Sequence, residues 1–185
     1  MKFLKIFIII FISLTTSIKA DSNKNLINQL KDGGKLIFIR HAYAPGSGDP
    51  NNFNLNDCST QRNLNFEGKK QSERIGDIIR KLKIETNNVY SSQWCRCKDT
   101  AKISFERYKE LKSLNSFFDP KFAKNKKQQI RDLKKFIKNW DNKKDLILVT
   151  HYVVILDILD IGTNSGDIVF FDKKYNVLKI INTLK

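Results

Sequence analysis

The chain contains two histidines, His41 and His151, and each follows an apolar run and one polar residue. KLIFIRHAYA at 35–44 carries Arg40 before the first, and DLILVTHYVV at 145–154 carries Thr150 before the second. A buried strand that ends in polar groups delivers them to the edge of a sheet, where ligands of open α/β folds bind. A third short run, 88–90, ends in Ser91 and Ser92 with Arg96 close behind, so three strand ends bring two arginines and both histidines to one place. Guanidinium forks match phosphoryl oxygens, and an imidazole between them is a nucleophile for phosphorus. A helix opening near Ser92 would add free backbone N–H groups, which also suit an anion. Taken singly, each residue has an ordinary explanation, such as a satisfied strand-end histidine or a surface ion-pair arginine. The repetition is what points to phosphoryl chemistry.

The elements that must hold these groups alternate. NLINQLKDGG at 25–34 predicts a short helix stopped by Gly33 and Gly34, and a strand follows over 35–39. Residues 42–61 carry two of the three prolines with many Gly, Asn, Ser and Asp, which predicts a long loop, and such loops in compact domains are commonly functional. Asn65 can cap a helix whose Ile75, Ile78, Ile79 and Leu82 recur at helical spacing. After the strand at 88–90, WCRCKDTAKISFERYKEL keeps helical spacing through Ala101, Phe105 and Tyr108. An irregular stretch over 113–125 leads to a helix through Ile130, Leu133, Ile137 and Trp140. The strand over 146–149 delivers His151, a helix follows over 153–159, and strands DIVFF and VLKII end the chain. Strands alternating with helices predict an α/β layered domain with a largely parallel sheet.

A chain of 185 residues, 41% hydrophobic, fits one domain with a proper core. Its first twenty residues put Lys2 and Lys5 before an apolar run from Ile6 to Leu14 and reach Ala20, the layout of a secretory signal peptide. An uncleaved amino-terminal anchor is the competing reading. The expected organisation is a signal over 1–20 and a domain over 21–185, in the periplasm or secreted, with no stable membrane span after cleavage. Losing Lys2, Lys5 and Lys19 with the leader takes the formal charge from +15 to +12. The excess is scattered lysine without a nucleic-acid motif, so nucleic acid is not an expected partner. A positive field would still concentrate anionic substrates. Cys58, Cys95 and Cys97 make an odd count, consistent with one disulfide and one free thiol. Neighbours two apart bridge each other poorly, which leaves Cys58 with either Cys95 or Cys97.

The motifs taken together resemble the histidine phosphatase superfamily, also called phosphoglycerate mutase-like. LIFIRHA is similar to the family's strand ending in Arg-His-Gly, with Ala42 in place of the glycine. Leu64, Asn65, Gly68 and Gln71 resemble its Leu-Thr-x-x-Gly-x-x-Gln helix start. SQWCRCKDTA resembles the Ser-x-x-x-Arg-Ala-x-x-Thr-Ala element through Ser92, Arg96, Thr100 and Ala101, with Cys97 at the first alanine, and LILVTH resembles the late strand. The elements stand in family order and most resemble an extracytoplasmic member of the smaller branch. The resemblance implies a three-layer α/β/α sandwich with a mostly parallel central sheet. It also implies a phosphomonoesterase of the histidine acid phosphatase type, acting without a cofactor on a small phosphorylated substrate. His41 would be the nucleophile, Arg40 and Arg96 would neutralise phosphoryl oxygens, and His151 would donate to another oxygen as imidazolium. Arg62 and Ser92 would be further substrate contacts.

The chain departs from that pattern at the general acid. Family members that carry a proton donor often have Glu after a Leu-Asn pair, and Leu114-Asn115 is followed here by Ser116; the other branch has Asp after the second histidine, and this chain has Tyr152. Asp49, Asp57 and Asp119 are the loop carboxylates that remain as candidate acids, though a turn or capping role is the readier explanation of each. Two competing readings stand beside the enzyme. One is a catalytically weak phosphate-recognising domain of the cell envelope. The other, a metal site of His41, His151 and carboxylates, is disfavoured because neither histidine has ligand spacing.

Overall fold

The computed structural model describes residues 34–172, 174 and 176–184. The leader over 1–20 and the helix expected over 25–32 lie outside the described residues.

Among the described residues six strands form one sheet in the order β3-β2-β4-β1-β5-β6: β1 Leu36–Arg40, β2 Val89–Ser91, β3 Lys109–Glu110, β4 Leu146–Thr150, β5 Ile168–Phe171 and β6 Val177–Ile181. Strands β3, β2, β4 and β1 are mutually parallel, and β5 runs antiparallel to both β1 and β6. The mostly parallel sheet expected from the sequence is therefore present, with β5 alone reversed. Leu36 to Ile39 and Leu146 to Thr150 are buried throughout, as strands covered on both faces require.

Among the described residues five helices accompany the sheet: α1 Phe66–Lys81, α2 Cys95–Phe105, α3 Pro120–Ala123, α4 Lys126–Lys138 and α5 Tyr152–Leu159. Leu36, Phe38, Leu146, Leu148, Val169 and Phe171 form one core cluster with Leu133 and Ile137 of α4 and Val154 and Ile155 of α5. The alternate residues Ile37, Ile39, Ile147 and Val149 are fully buried and, by the period of two, point to the other face. Helices α1 and α2 pack closely there, with Ser104 Oγ donating to Ser72 O at 2.7 Å. A Cβ on Gly76 would lie 2.6 Å from Ser104 O, so this crossing needs glycine.

Two sequence expectations shift. The helix expected to run through Tyr108 ends at Phe105, because Glu106 turns into positive φ (64°) and the chain then joins the sheet edge as β3. Trp140 lies beyond the end of α4, and its indole N–H donates to Lys144 O at 3.0 Å. Asn65 caps α1 as expected, its side chain accepting from Gly68 N at 2.9 Å.

Candidate active site

Register explains the repeated histidine pattern. Arg40 pairs with Thr150 across β1 and β4, so the next residue of each strand emerges at the same height. His41 N donates to Thr150 O at 2.9 Å, and the two imidazoles meet edge to face with centroids 5.4 Å apart. Ser92 N donates to Val149 O at 3.0 Å, which brings the end of β2 alongside. Between the strand ends and the loop of 42–61 lies a cavity of about 280 Å³ whose lining includes Arg40, His41, Asp49, Arg62, Arg96 and His151.

The tautomers follow from the contacts. His41 Nδ1 lies 2.8 Å from Ala42 O, which can only accept, so Nδ1 carries the proton and Nε2 keeps its lone pair. That lone pair receives Arg96 Nε–H at 3.3 Å. Arg96 Nη2 approaches His151 Nδ1 at 3.5 Å, so His151 bears its proton on Nε2 and donates it to Ser92 Oγ at 2.8 Å. Ser92 Oγ in turn donates to Asn115 Oδ1 at 3.2 Å. Both imidazoles are buried, and desolvation, reinforced by the Arg96 charge, holds each well below the ordinary value of 6.5. Burial and three guanidiniums thus favour the neutral form of both rings, so the imidazolium expected at His151 needs a negative charge brought into the cavity.

Arg96 is the hub. Its Nη1 makes a buried ion pair with Asp49 Oδ1 at 2.8 Å. Asp49 Oδ1 also accepts from Arg62 N at 3.0 Å, and Oδ2 accepts from the Trp94 indole N–H at 3.0 Å. Burial alone would raise the Asp49 carboxyl, but the Arg96 charge and these donors outweigh it and hold the group below its usual range. Arg62 lines the cavity with Nε donating to Gly48 O at 2.8 Å and Nη1 donating to Ala44 O. Arg40 donates from Nη1 to Thr163 O and lies 5.3 Å from the Tyr152 ring, while its buried Nε has no partner.

The three candidate acids separate. Asp49 lines the cavity but is anchored as a carboxylate. Asp119 lines the cavity while capping α3 through Lys121 N at 3.0 Å. Asp57 does not line it; it is exposed and caps the turn over Cys58–Thr60, so it is removed from the candidate acids. Ser116, which follows the Leu114-Asn115 pair, does line the cavity, and its Oγ accepts from Phe118 N at 3.3 Å. The expected anion-binding N–H groups at the start of α2 are partly taken, since Cys95 N donates to Gln61 Oε1 at 2.9 Å.

Several residues hold the segment after His41 in place. Thr100 Oγ1 accepts from Ala42 N at 3.0 Å, and Gln71 Oε1 accepts from Tyr43 N at 2.7 Å. Gly68 lets α1 approach that segment. Sequence reasoning marks these residues as motif members without giving them roles. It misses Asn115 as the acceptor behind Ser92, for which a polar residue in an otherwise buried stretch is the available signal, and it misses Trp94, for which there is none.

The disulfide joins Cys58 to Cys95, with Cα atoms 5.7 Å apart, and resolves the alternative left open by the sequence. Cys97 is the free thiol, buried 3.4 Å from His151 Nε2 and pushed up to about 12 by burial. Among the described residues, no group of three or more His, Cys, Asp and Glu side chains is placed to hold a metal ion, and no helix is long and apolar enough to cross a membrane.

No protein-family model and no curated protein sequence matches this chain. Solved structures do resemble it. The protein histidine phosphatase SixA, solved with tungstate, is similar with a TM-score of 0.59 at 12% identity, over 80% of this chain and 97% of that one. The phosphoglycerate mutase from Thermus thermophilus is similar with a TM-score of 0.58 at 16% identity, over 80% and 98% of the two chains. At these identities the likeness is one of architecture, which different activities share. The chain has the phosphoglycerate mutase-like fold, the three-layer α/β/α arrangement implied by its sequence.

Proposed function

We propose that the chain is a phosphomonoesterase working through a phosphohistidine on His41. One observation carries the reading: His41 is held as the Nδ1–H tautomer, with the Nε2 lone pair facing Arg96 and His151 in a cavity lined by three arginines. That is the tautomer a nucleophile requires. A phosphate monoester entering the cavity takes Arg96 Nε–H onto its own oxygen and so frees Nε2. Nε2 attacks phosphorus, the ester oxygen leaves with the bond's electron pair, and water later displaces the phosphoryl group from nitrogen to give inorganic phosphate. Arg40, Arg62 and Arg96 balance the equatorial oxygens, where positioning and charge carry most of such catalysis. His151 becomes a donor through Nδ1 once the incoming dianion makes a second ring proton favourable. The solved phosphatase bound to tungstate, a tetrahedral oxyanion, supports this use of the fold.

Two features support export as part of the proposal: the leader-like residues 1–20, and a disulfide of the kind that oxidising compartments sustain. The test of the activity uses an aryl phosphate, whose leaving group departs without an acid. Turnover is expected, with an acid-labile, base-stable phosphoryl group on the quenched protein, and His41→Ala should abolish both. Full turnover by His41→Ala would overturn the mechanism. Phosphate binding without turnover in the unaltered protein would favour the alternative, a phosphate-recognising binding domain.

A further inference from the structure

The cavity built to receive a dianion already contains a carboxylate. Asp49 sits in the long loop after His41, its side chain 8% exposed, with Oδ1 on the Nη1 edge of Arg96. It is held there by independent donors, the Arg62 backbone and the Trp94 indole. The loop that carries it is fixed as well, by Arg62 Nε on Gly48 O and by the disulfide from Cys58 to Cys95. So much fixation of a negative group beside a phosphoryl site is costly to affinity unless the charge has a use. Three guanidiniums line the cavity. Of its two carboxylates, Asp119 sits 3.6 Å from Lys121 Nζ, which leaves Asp49 as the counterion buried among the arginines.

We propose that Asp49 is the resident counterion of the phosphate site, a positioning residue that aims Arg96 at both imidazoles and limits how tightly the cavity holds phosphate. This rests on the phosphatase reading above and deepens it. With Nη1 committed to Asp49, the guanidinium plane is fixed so that Nε faces His41 and Nη2 faces His151. The same carboxylate repels any dianion in the cavity, the ester and inorganic phosphate alike, and so speeds release of the phosphate that must leave. Without it the arginines would retain inorganic phosphate and turnover would stall.

The experiment measures inorganic phosphate binding by calorimetry, together with aryl phosphate kinetics, in the wild type and in three variants. Asp49→Asn removes the charge but can place its amide against the indole N–H. Trp94→Phe alone removes that donor and keeps the charge. The double variant removes the charge with no donor facing another. Asp49→Asn and the double variant should bind phosphate at least about tenfold more tightly, as loss of a nearby like charge requires, with KM and kcat both falling. Trp94→Phe should stay near the wild-type phosphate affinity. Unchanged or weaker phosphate binding in the folded double variant would overturn the proposal, as would a tenfold gain in Trp94→Phe. If the wild type neither binds phosphate nor turns over the aryl ester, the phosphatase reading fails instead, so the two failures are distinct.

Discussion

Arg96 touches more of the chemistry than either histidine does. Its guanidinium reaches His41 Nε2, His151 Nδ1 and Asp49 from one rigid plane. A lysine ammonium at the same place is a point charge and cannot span three partners, so Arg96→Lys should lose about 2 to 4 kcal/mol of transition-state stabilisation, read as kcat/KM on an aryl phosphate. Near-normal turnover would show that the plane is not needed. Protonation of the histidines is the second test at this scale. Burial holds both well below 6.5, so a neutral His41 imidazole persists as pH falls through the ordinary histidine range. The acid limb of kcat/KM, which reports the free enzyme, should therefore lie below that of a free histidine. Stability has the opposite sensitivity. These groups have depressed folded-state values, so below about pH 6.5 the unfolded chain binds protons that the folded chain refuses, and stability is lost as pH falls. A wild-type midpoint that rises on acidification from pH 7 to pH 5 relative to a His41→Asn, His151→Asn variant would contradict neutral buried imidazoles; the comparison cancels Asp99, Asp145 and Asp167, whose values burial raises and whose effect on stability has the opposite sign.

At the scale of elements, what matters is how closely α1 approaches the segment after His41. A Cβ on Gly68 would stand 1.9 Å from Tyr43 O, a backbone atom that cannot rotate away. Gly68→Ala should therefore push α1 and the Ala42–Tyr43 peptide apart, costing at least about 1 to 3 kcal/mol as overpacking does, and lowering turnover per folded molecule because Ala42 O orients the His41 ring. Gly162→Ala, whose added Cβ would meet only the Tyr152 hydroxyl at 4.0 Å, is the control and should melt like the wild type. Full activity in Gly68→Ala would mean that the two elements do not need this contact. Much of this level was legible in the sequence. The two strands ending in histidine, the Asn65 cap and the loop after His41 are local signals, written in apolar runs and turn residues. The end of α2 was not legible, because the spacing stays helical past Phe105 and only pairing with the sheet edge draws Lys109 and Glu110 away. The neutrality of His151 was hidden for a similar reason: it depends on guanidiniums gathered from distant positions, and no spacing records a field. The role of Asp49 was equally hidden, since a proline- and glycine-rich loop looks the same whether its carboxylate caps a turn or enters a site.

For the whole molecule, the formal charge of +15 sits mainly in scattered lysines, while the cavity relies on arginines, so attraction at long range and recognition at short range use different residues. What joins the two walls of the cavity covalently is the bond from Cys58 to Cys95, which ties the loop bearing Asp49 to the helix bearing Arg96 across 37 residues of sequence. Closing a loop of that length removes entropy from the unfolded chain worth about 4 kcal/mol in the chain-entropy treatment. Cys58→Ser should therefore lower the denaturant midpoint strongly, and hydrogen exchange should quicken over 46–62 and 92–97 before it does in β1 or β4. Cys97→Ser is the comparison. That thiol is buried and unbridged, so the variant should keep the wild-type response to reductant, with a midpoint that falls when dithiothreitol is added. Cys58→Ser should be insensitive to reductant. If both variants and the wild type share one midpoint in oxidising and reducing buffer, the bond contributes nothing, and the loop owes its order to the Asp49, Arg62 and Gln61 contacts alone.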